Sequence, residues 1–125
     1  AKTPLPDNYS CFAFEFLNLS SLTKKFGYSV GDSVLKDYAD LLKSVFVSSG
    51  NVFYNNKGVF LGFMDQCSEK KAKAILQTLG EYVKEYNNLN PDYAIEYKSD
   101  CATTTDAETY SVRDLISKAF ENLSN

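Results

Sequence analysis

The sequence predicts an α+β fold: a mostly antiparallel sheet with a hairpin at its centre and helices packed against it. Three observations predict it. Asn51–Phe63 (NVFYNNKGVFLGF) reads as two short strands, Val52–Tyr54 and Val59–Phe63, because β-branched and aromatic arms flank Asn55, Asn56, Lys57 and Gly58, which accept positive φ. Cys11–Leu17 (CFAFEFL) is almost wholly apolar, as expected of a central strand buried on both faces. Three longer stretches instead carry apolar residues at a period near 3.6.

Taken in order, residues 1–10 (AKTPLPDNYS) hold two prolines and no periodicity, and read as a linker or the cut end of a longer protein. The first strand, Cys11–Leu17, follows. Its single charge, Glu15, either marks where the strand rises into solvent or is a carboxylate held at a pocket's edge. Ser20–Phe26 has Leu19, Leu22 and Phe26 at helical spacing, and Gly27 closes this short helix as a C-cap. A second helix starts at once, with Ser29 as expected N-cap and Asp32 completing a short capping box. Val34, Leu35, Tyr38, Leu41, Leu42, Val45 and Phe46 form its apolar stripe, with Lys36, Asp37, Asp40 and Lys43 facing water. It should end before Ser48-Ser49-Gly50.

The hairpin comes next. It is apolar on both faces, which places it in the middle of a covered sheet, with the turn as its polar interruption. Ser68 then caps a long helix to about Asn87, whose stripe includes Ala72, Ile75, Leu79 and Val83. Lys70, Lys71 and Lys73 on its opening turns read as a solvated face rather than a phosphate patch. Tyr93–Lys98 alternates as a strand with one wet face, and Cys101–Tyr110 is polar and Thr-rich, a loop. Ser111 caps the last helix, with Asp114 at its third position. The order β-α-α-β-β-α-β-α contains the β-α-β-β-α-β pattern of ferredoxin-like folds.

Composition narrows the function classes. The chain of 125 residues is 44% hydrophobic and 23% charged, enough for one sizeable core. A net charge of −3, with Arg113 the sole arginine, argues against nucleic acid. Apolar runs are too short to span a membrane, so no membrane contact is expected of this segment. Three distant cysteines, Cys11, Cys67 and Cys101, and no histidine leave no zinc pattern and no Ser-His or Cys-His pair. They read as free thiols of a reducing cytoplasm.

The residues around Gly27 and in the hairpin say more. FEFLNLSSLTKKFGYSVGDSVLKDYADLL resembles the first half of a GGDEF domain, the bacterial diguanylate cyclase family, whose pattern is D-x-D-x-F-K-x-x-N-D-x-x-G-H-x-x-G-D-x-x-L-x-x-x-A-x-x-L. Gly27, Gly31, Asp32, Leu35, Ala39 and Leu42 match it. The spacing then lays the signature on Asn56, Lys57, Gly58, Val59 and Phe60, and Leu115–Leu123 resembles the family's last helix. The resemblance implies a nucleotide-cyclase-like sheet over residues 11–125.

It also implies an eroded site. Asn56 and Lys57 replace the signature glycines that let the turn approach a nucleotide, and Gly58 and Val59 replace the two acids, the second of which binds metal in the family. The other metal carboxylate falls on Glu15, the one retained candidate, so no metal is expected. The second Asp of D-x-D falls on Leu17, and the Asn that reads the guanine edge falls on Thr23, with its partner kept as Asp32. The inhibitory R-x-x-D would span Val47 to Gly50 and is absent, as is the family's preamble ahead of the first strand.

The expectation is therefore a degenerate GGDEF-like domain with no catalytic residues and no cofactor. It would serve as a regulatory, scaffolding or dimerisation module, contacting other domains of a larger cytoplasmic or membrane-anchored signalling protein, or a second copy. The alternative is a guanine-nucleotide sensor in which Asp32, with Thr23 or Asn18, holds the base while Lys57 weakly binds phosphates. A third reading, an unrelated α+β domain, would be favoured by a fold lacking the antiparallel hairpin at 52–63.

Overall fold

The protein is described by a computed structural model over residues 7–46, 50–104 and 111–125. Four strands, β1 (Ser10–Phe16), β2 (Gly50–Asn56), β3 (Val59–Met64) and β4 (Tyr97–Thr103), form one antiparallel sheet in the order β2-β3-β1-β4. Helices α1 (Leu19–Phe26), α2 (Tyr28–Val45), α3 (Glu69–Leu89) and α4 (Val112–Ser124) cover it.

β1 is the central strand, as its composition predicts. Phe12, Phe14 and Phe16 point to one face, into a core with Leu22, Tyr38, Leu42, Phe46, Leu79 and Val83 from α1, α2 and α3. Cys11 and Ala13 point to the other, against Leu115, Ala119 and Leu123 of α4. Both faces are therefore dry along Ser10–Phe14. All three cysteines are buried and unpaired. Burial pushes the Cys11 thiol up to about 12 and, with Asp100 beside it, Cys101 up to about 11.

The hairpin exists, but only one of its arms lies in the middle of the sheet: β3 is an inner strand, paired on both sides. β2 is an edge strand, and Phe53 and Tyr54 are 54% and 48% exposed. Apolar residues on both faces predict a central position for both arms, but β1 takes the second side of β3 and leaves β2 paired on one side alone. β3 is covered on one face through Phe60 and Met64 and partly on the other through Leu61 and Phe63, whereas β2 packs Val52 on the core. The strands also run further than their apolar cores, from Gly50 and to Met64.

The last strand is displaced from its sequence expectation. Pro91–Tyr93 is a short 3-10 turn, Ala94–Glu96 is irregular, and β4 begins only at Tyr97 and takes in Cys101–Thr103, read as loop. Two asparagines cause this. Asn18 Nδ2 donates to the Ala94 carbonyl (2.8 Å) and its Oδ1 accepts from Glu96 N–H (2.9 Å). Asn87 bonds both backbone groups of Ile95, at 3.0 and 2.8 Å. Carboxamides thus satisfy the peptide groups of residues 94–96 that a ladder would otherwise pair. The rest of the Cys101–Tyr110 segment from residue 105, and the stop at 47–49, lie outside the described residues.

Helix ends follow the capping rules with one exception. Ser68 Oγ accepts from Lys71 N–H (3.1 Å), and Ser111 and Asp114 form a full capping box. Ser29 caps nothing, and the expected box with Asp32 is absent. Gly27, at φ 96°, ends α1 by donating to the Thr23 carbonyl, and its own carbonyl accepts from Gly31 N–H, so α2 begins at Tyr28. Ser29 then sits inside the first turn and Asp32 beyond it, exposed. Asp37, expected in water, accepts from Tyr86 Oη (2.7 Å) and ties α2 to α3. At the N-terminus, Asn8 and Tyr9 already bond the Thr104 and Cys67 backbones and Ser10 is in β1, so the sheet starts ahead of residue 11. Residues 1–6 lie outside the described residues.

One buried group stands apart. The Tyr38 hydroxyl has no hydrogen-bond partner among the described residues, and burial drives its pKa upward. Because an unsatisfied buried hydroxyl costs about 1–3 kcal/mol, Tyr38→Phe should keep the ring contacts with Phe16 and Phe60 and raise stability by about 1 kcal/mol. Urea unfolding midpoints at unchanged m-value check this.

Candidate functional site

The candidate site lies where β1 runs out, between the hairpin tip and the α1–α2 turn. The tip is tight. Lys57 (φ 49°) and Gly58 (φ 80°) are both left-handed, which makes Asn56–Val59 a two-residue turn of the hairpin-favouring mirror type. Gly58 N–H donates to Tyr54 Oη (3.0 Å), and the Gly58 carbonyl accepts from Phe16 N–H (2.8 Å). A side chain at Gly58 would begin 2.9 Å from the Phe16 carbonyl oxygen and 3.7 Å from Leu19, so the tip is seated on the β1–α1 junction. Asn56 and Lys57 project into solvent, while Phe60 is buried against Tyr38 and Tyr54.

Register decides what the tip faces. Asn56 pairs with Val59, Val59 with Glu15, and Glu15 with Lys98. Because β1 alternates, these side chains lie on the face opposite Phe14 and Phe16, the one that also carries α4. The end of the sheet therefore presents, from edge to edge, a carboxamide, an isopropyl group, a carboxylate and an ammonium. Glu15 Oε1 lies 3.9 Å from Lys98 Nζ, with both side chains half-exposed. Lys98 is the residue that sequence reasoning missed: it was placed on a wet face, and only the β1–β4 register brings it to Glu15.

These residues do not fit a divalent metal. A hard cation such as Mg²⁺ takes oxygen ligands, usually more than one carboxylate. Here one carboxylate has an ammonium on one side and a valine on the other. Among the described residues no three Asp, Glu, Cys or His side chains gather as a metal site.

The residues expected around a base are only partly together. Thr23 packs on Gly31, so closely that a methyl group on Gly31 would overlap Thr23 Oγ1, and Asp32 is the next residue along α2, exposed. A pocket of about 490 Å³ opens beside them, lined by Ser20, Thr23, Lys24 and Tyr28. Ser20, Lys24 and Tyr28 fall where the quoted pattern has Lys, Asp and His, and that alignment could have pointed to them. Asn18 is committed elsewhere: its carboxamide makes the two backbone bonds to Ala94 and Glu96. Leu17, 50% exposed, lines a separate cleft with Val83, Ile95 and Tyr97.

Comparison with known proteins bears on the family and the fold. The family described as "Diguanylate cyclase, GGDEF domain" matches residues 6–125. Among solved structures, the active GGEEF domain of a diguanylate cyclase from Vibrio cholerae superposes with a TM-score of 0.82 at 16% identity, over 93% of this chain and 74% of that one. The GGDEF domain of DgcB from Caulobacter crescentus, solved with c-di-GMP, gives 0.78 at 17% identity, over 93% and 70%. Vibrio cholerae LapD, an S helix-GGDEF-EAL protein bound to c-di-GMP, gives 0.75 at 16% identity, over 92% of this chain and 26% of that one. At these identities the superpositions show a shared fold. No curated protein matches the sequence.

Proposed function

Since the chain belongs to the GGDEF domain family, we propose that it is a catalytically silent member, acting as a regulatory, scaffolding or dimerisation module in a bacterial cyclic di-GMP signalling protein. One observation carries this reading: the register Asn56–Val59–Glu15–Lys98 at the end of the sheet. Joining two GTP molecules needs divalent metal to offset triphosphate charge and to activate a 3′-hydroxyl. Val59 cannot ligate, and Lys98 sets a positive charge beside the remaining carboxylate. Loss of a single transition-state interaction costs about 10²–10³-fold in rate. The substitutions at Asn56, Lys57, Gly58 and Val59 remove several together.

The domain arrangement of relatives supports the module role. LapD joins a GGDEF domain to an S helix and an EAL domain, and the diguanylate cyclase SiaD of Pseudomonas aeruginosa is held by its activator SiaC. On this reading the domain is attached in a comparable way to other domains or to a regulator, and works on the cytoplasmic side. No helix among the described residues is long and apolar enough to cross a membrane.

The purified domain, incubated with GTP and Mg²⁺ or Mn²⁺, is expected to form no cyclic di-GMP detectable by chromatography. Measurable product overturns the reading. The pocket beside Thr23, with Gly31 and Asp32 adjoining, favours a second reading, a guanine-nucleotide sensor that recognises the base without turnover. Calorimetric titration with GTP, GDP and cyclic di-GMP separates the two: no heat is expected of a module, and saturable heat abolished by Asp32→Ala is expected of a sensor.

A further inference from the structure

The two edges of the sheet are finished differently. On β4, Cys101 N–H donates to the Asp100 carboxylate and Asn122 Nδ2 donates to the Cys101 carbonyl, both at 2.8 Å. That point of the edge is closed to another strand, and the strand also carries the charges of Lys98 and Asp100. β2 has neither device. Gly50–Asn56 holds no charge and no proline, and among the described residues no group outside the hairpin bonds its outward backbone. A break in register between Tyr54 and Asn56 near the tip leaves Gly50–Tyr54 regular. Exposed Phe53 and Tyr54 add apolar surface to open backbone, and an unblunted edge of this kind is a template for strand pairing.

Charge and symmetry identify the partner. Across residues 50–64 Lys57 is the only charged side chain, and Asp65 follows directly. Gly50 pairs with Met64, so Asp65 lies at the base of the hairpin and Lys57 at its tip. If β2 is laid antiparallel on β2 of a second copy, with a two-fold axis at Phe53, tip meets base. Each Lys57 then faces the base of the other copy's hairpin, where Asp65 lies two strand spacings away, about 10 Å between backbones, a gap that the two side chains can span. Within the regular stretch Val52 faces Tyr54, and the two Phe53 rings meet on one face. A parallel pairing would set Lys57 against Lys57.

We propose that the β2 edge is a homodimerisation surface, joining two four-stranded sheets into one continuous antiparallel sheet across an isologous interface. The inference rests on the reading of this domain as an interaction module, for which it names the contact surface and the partner.

Light scattering coupled to size exclusion, over a concentration series, tests it. The wild-type domain should pass from the 14.0 kDa monomer toward twice that mass. Phe53→Lys, placing like charges opposite each other at the axis, should weaken the dimer on the order of tenfold. K57D and D65K should each weaken it, and the K57D/D65K double swap should restore it. The double swap does not depend on whether Phe53→Lys folds. A wild type monomeric throughout, a dimer indifferent to Phe53→Lys, or a double swap no tighter than its singles each overturns the proposal. Cyclic di-GMP synthesis would overturn catalytic silence and leave the edge standing, whereas a silent monomer would do the reverse.

Discussion

Phe12→Ala is expected to cost about 3–5 kcal/mol of folding free energy, a large share of the ~5–15 kcal/mol that holds a typical domain. Phe12 is fully buried in the middle of β1, with its ring 4.8 Å from Phe46 in an edge-on contact and 6.2 Å from Phe14. Truncation removes transfer free energy and leaves a cavity among groups that belong to three elements, β1, α2 and α3. Those elements are fixed by their own ladders and helical bonds, so they cannot collapse inward to fill it. The measurement is the urea midpoint with its m-value, and a loss below about 1 kcal/mol would contradict this account. Phe53→Ala, measured at a concentration where the domain is monomeric, is the control: the same chemical change on the exposed edge strand should fall within about 0.5 kcal/mol of the parent.

The second large effect is at the hairpin tip. Gly58→Ala should cost about 2–4 kcal/mol, combining the ~1–2 kcal/mol of a left-handed non-glycine residue with a contact that has no escape. The new Cβ would sit 2.9 Å from the Phe16 carbonyl oxygen, a backbone atom already fixed in the sheet, and φ is 80°. Lys57, one residue earlier, is also left-handed at 49° but exposed. Lys57→Gly therefore relieves strain while loosening the unfolded chain, and should stay within about 1 kcal/mol of the parent. Opposite responses from neighbouring residues would show that the tip is held by its seat on β1 rather than by turn chemistry alone. Equal small losses at both would contradict it.

The same two residues explain which parts of the site were legible in advance. Gly58 could be read as a turn residue because its neighbours alternate toward a hairpin. Its burial could not be read, because Phe16 lies over forty positions earlier in the chain. Glu15 was visible as the one charge in an apolar strand. Its partner was not, since Lys98 reaches it only through a register that also required Asn18 and Asn87 to hold residues 94–96 out of the ladder. Asn18 illustrates the limit most clearly. The family resemblance makes it a candidate near a base; in the fold its carboxamide clamps a backbone segment.

From the sequence alone came the order of elements, β1 as the central strand, the closing of α1 at Gly27, the caps at Ser68 and Ser111, and the family itself. The elements and caps depend on residues close together in the chain, where periodicity and capping chemistry act directly, and the family on the resemblance around Gly27 and the hairpin. Only the tertiary structure decided that the first arm of the hairpin lies at an edge, that β4 begins at Tyr97, and that Asp32 caps nothing. Each of those depends on which distant backbone competes for the same hydrogen bonds. β1 has two sides and gives them to β3 and β4, which leaves β2 with one side open. No local pattern within Asn51–Phe63 could express that, because apolar residues on both faces mark a strand that needs cover without saying what supplies it.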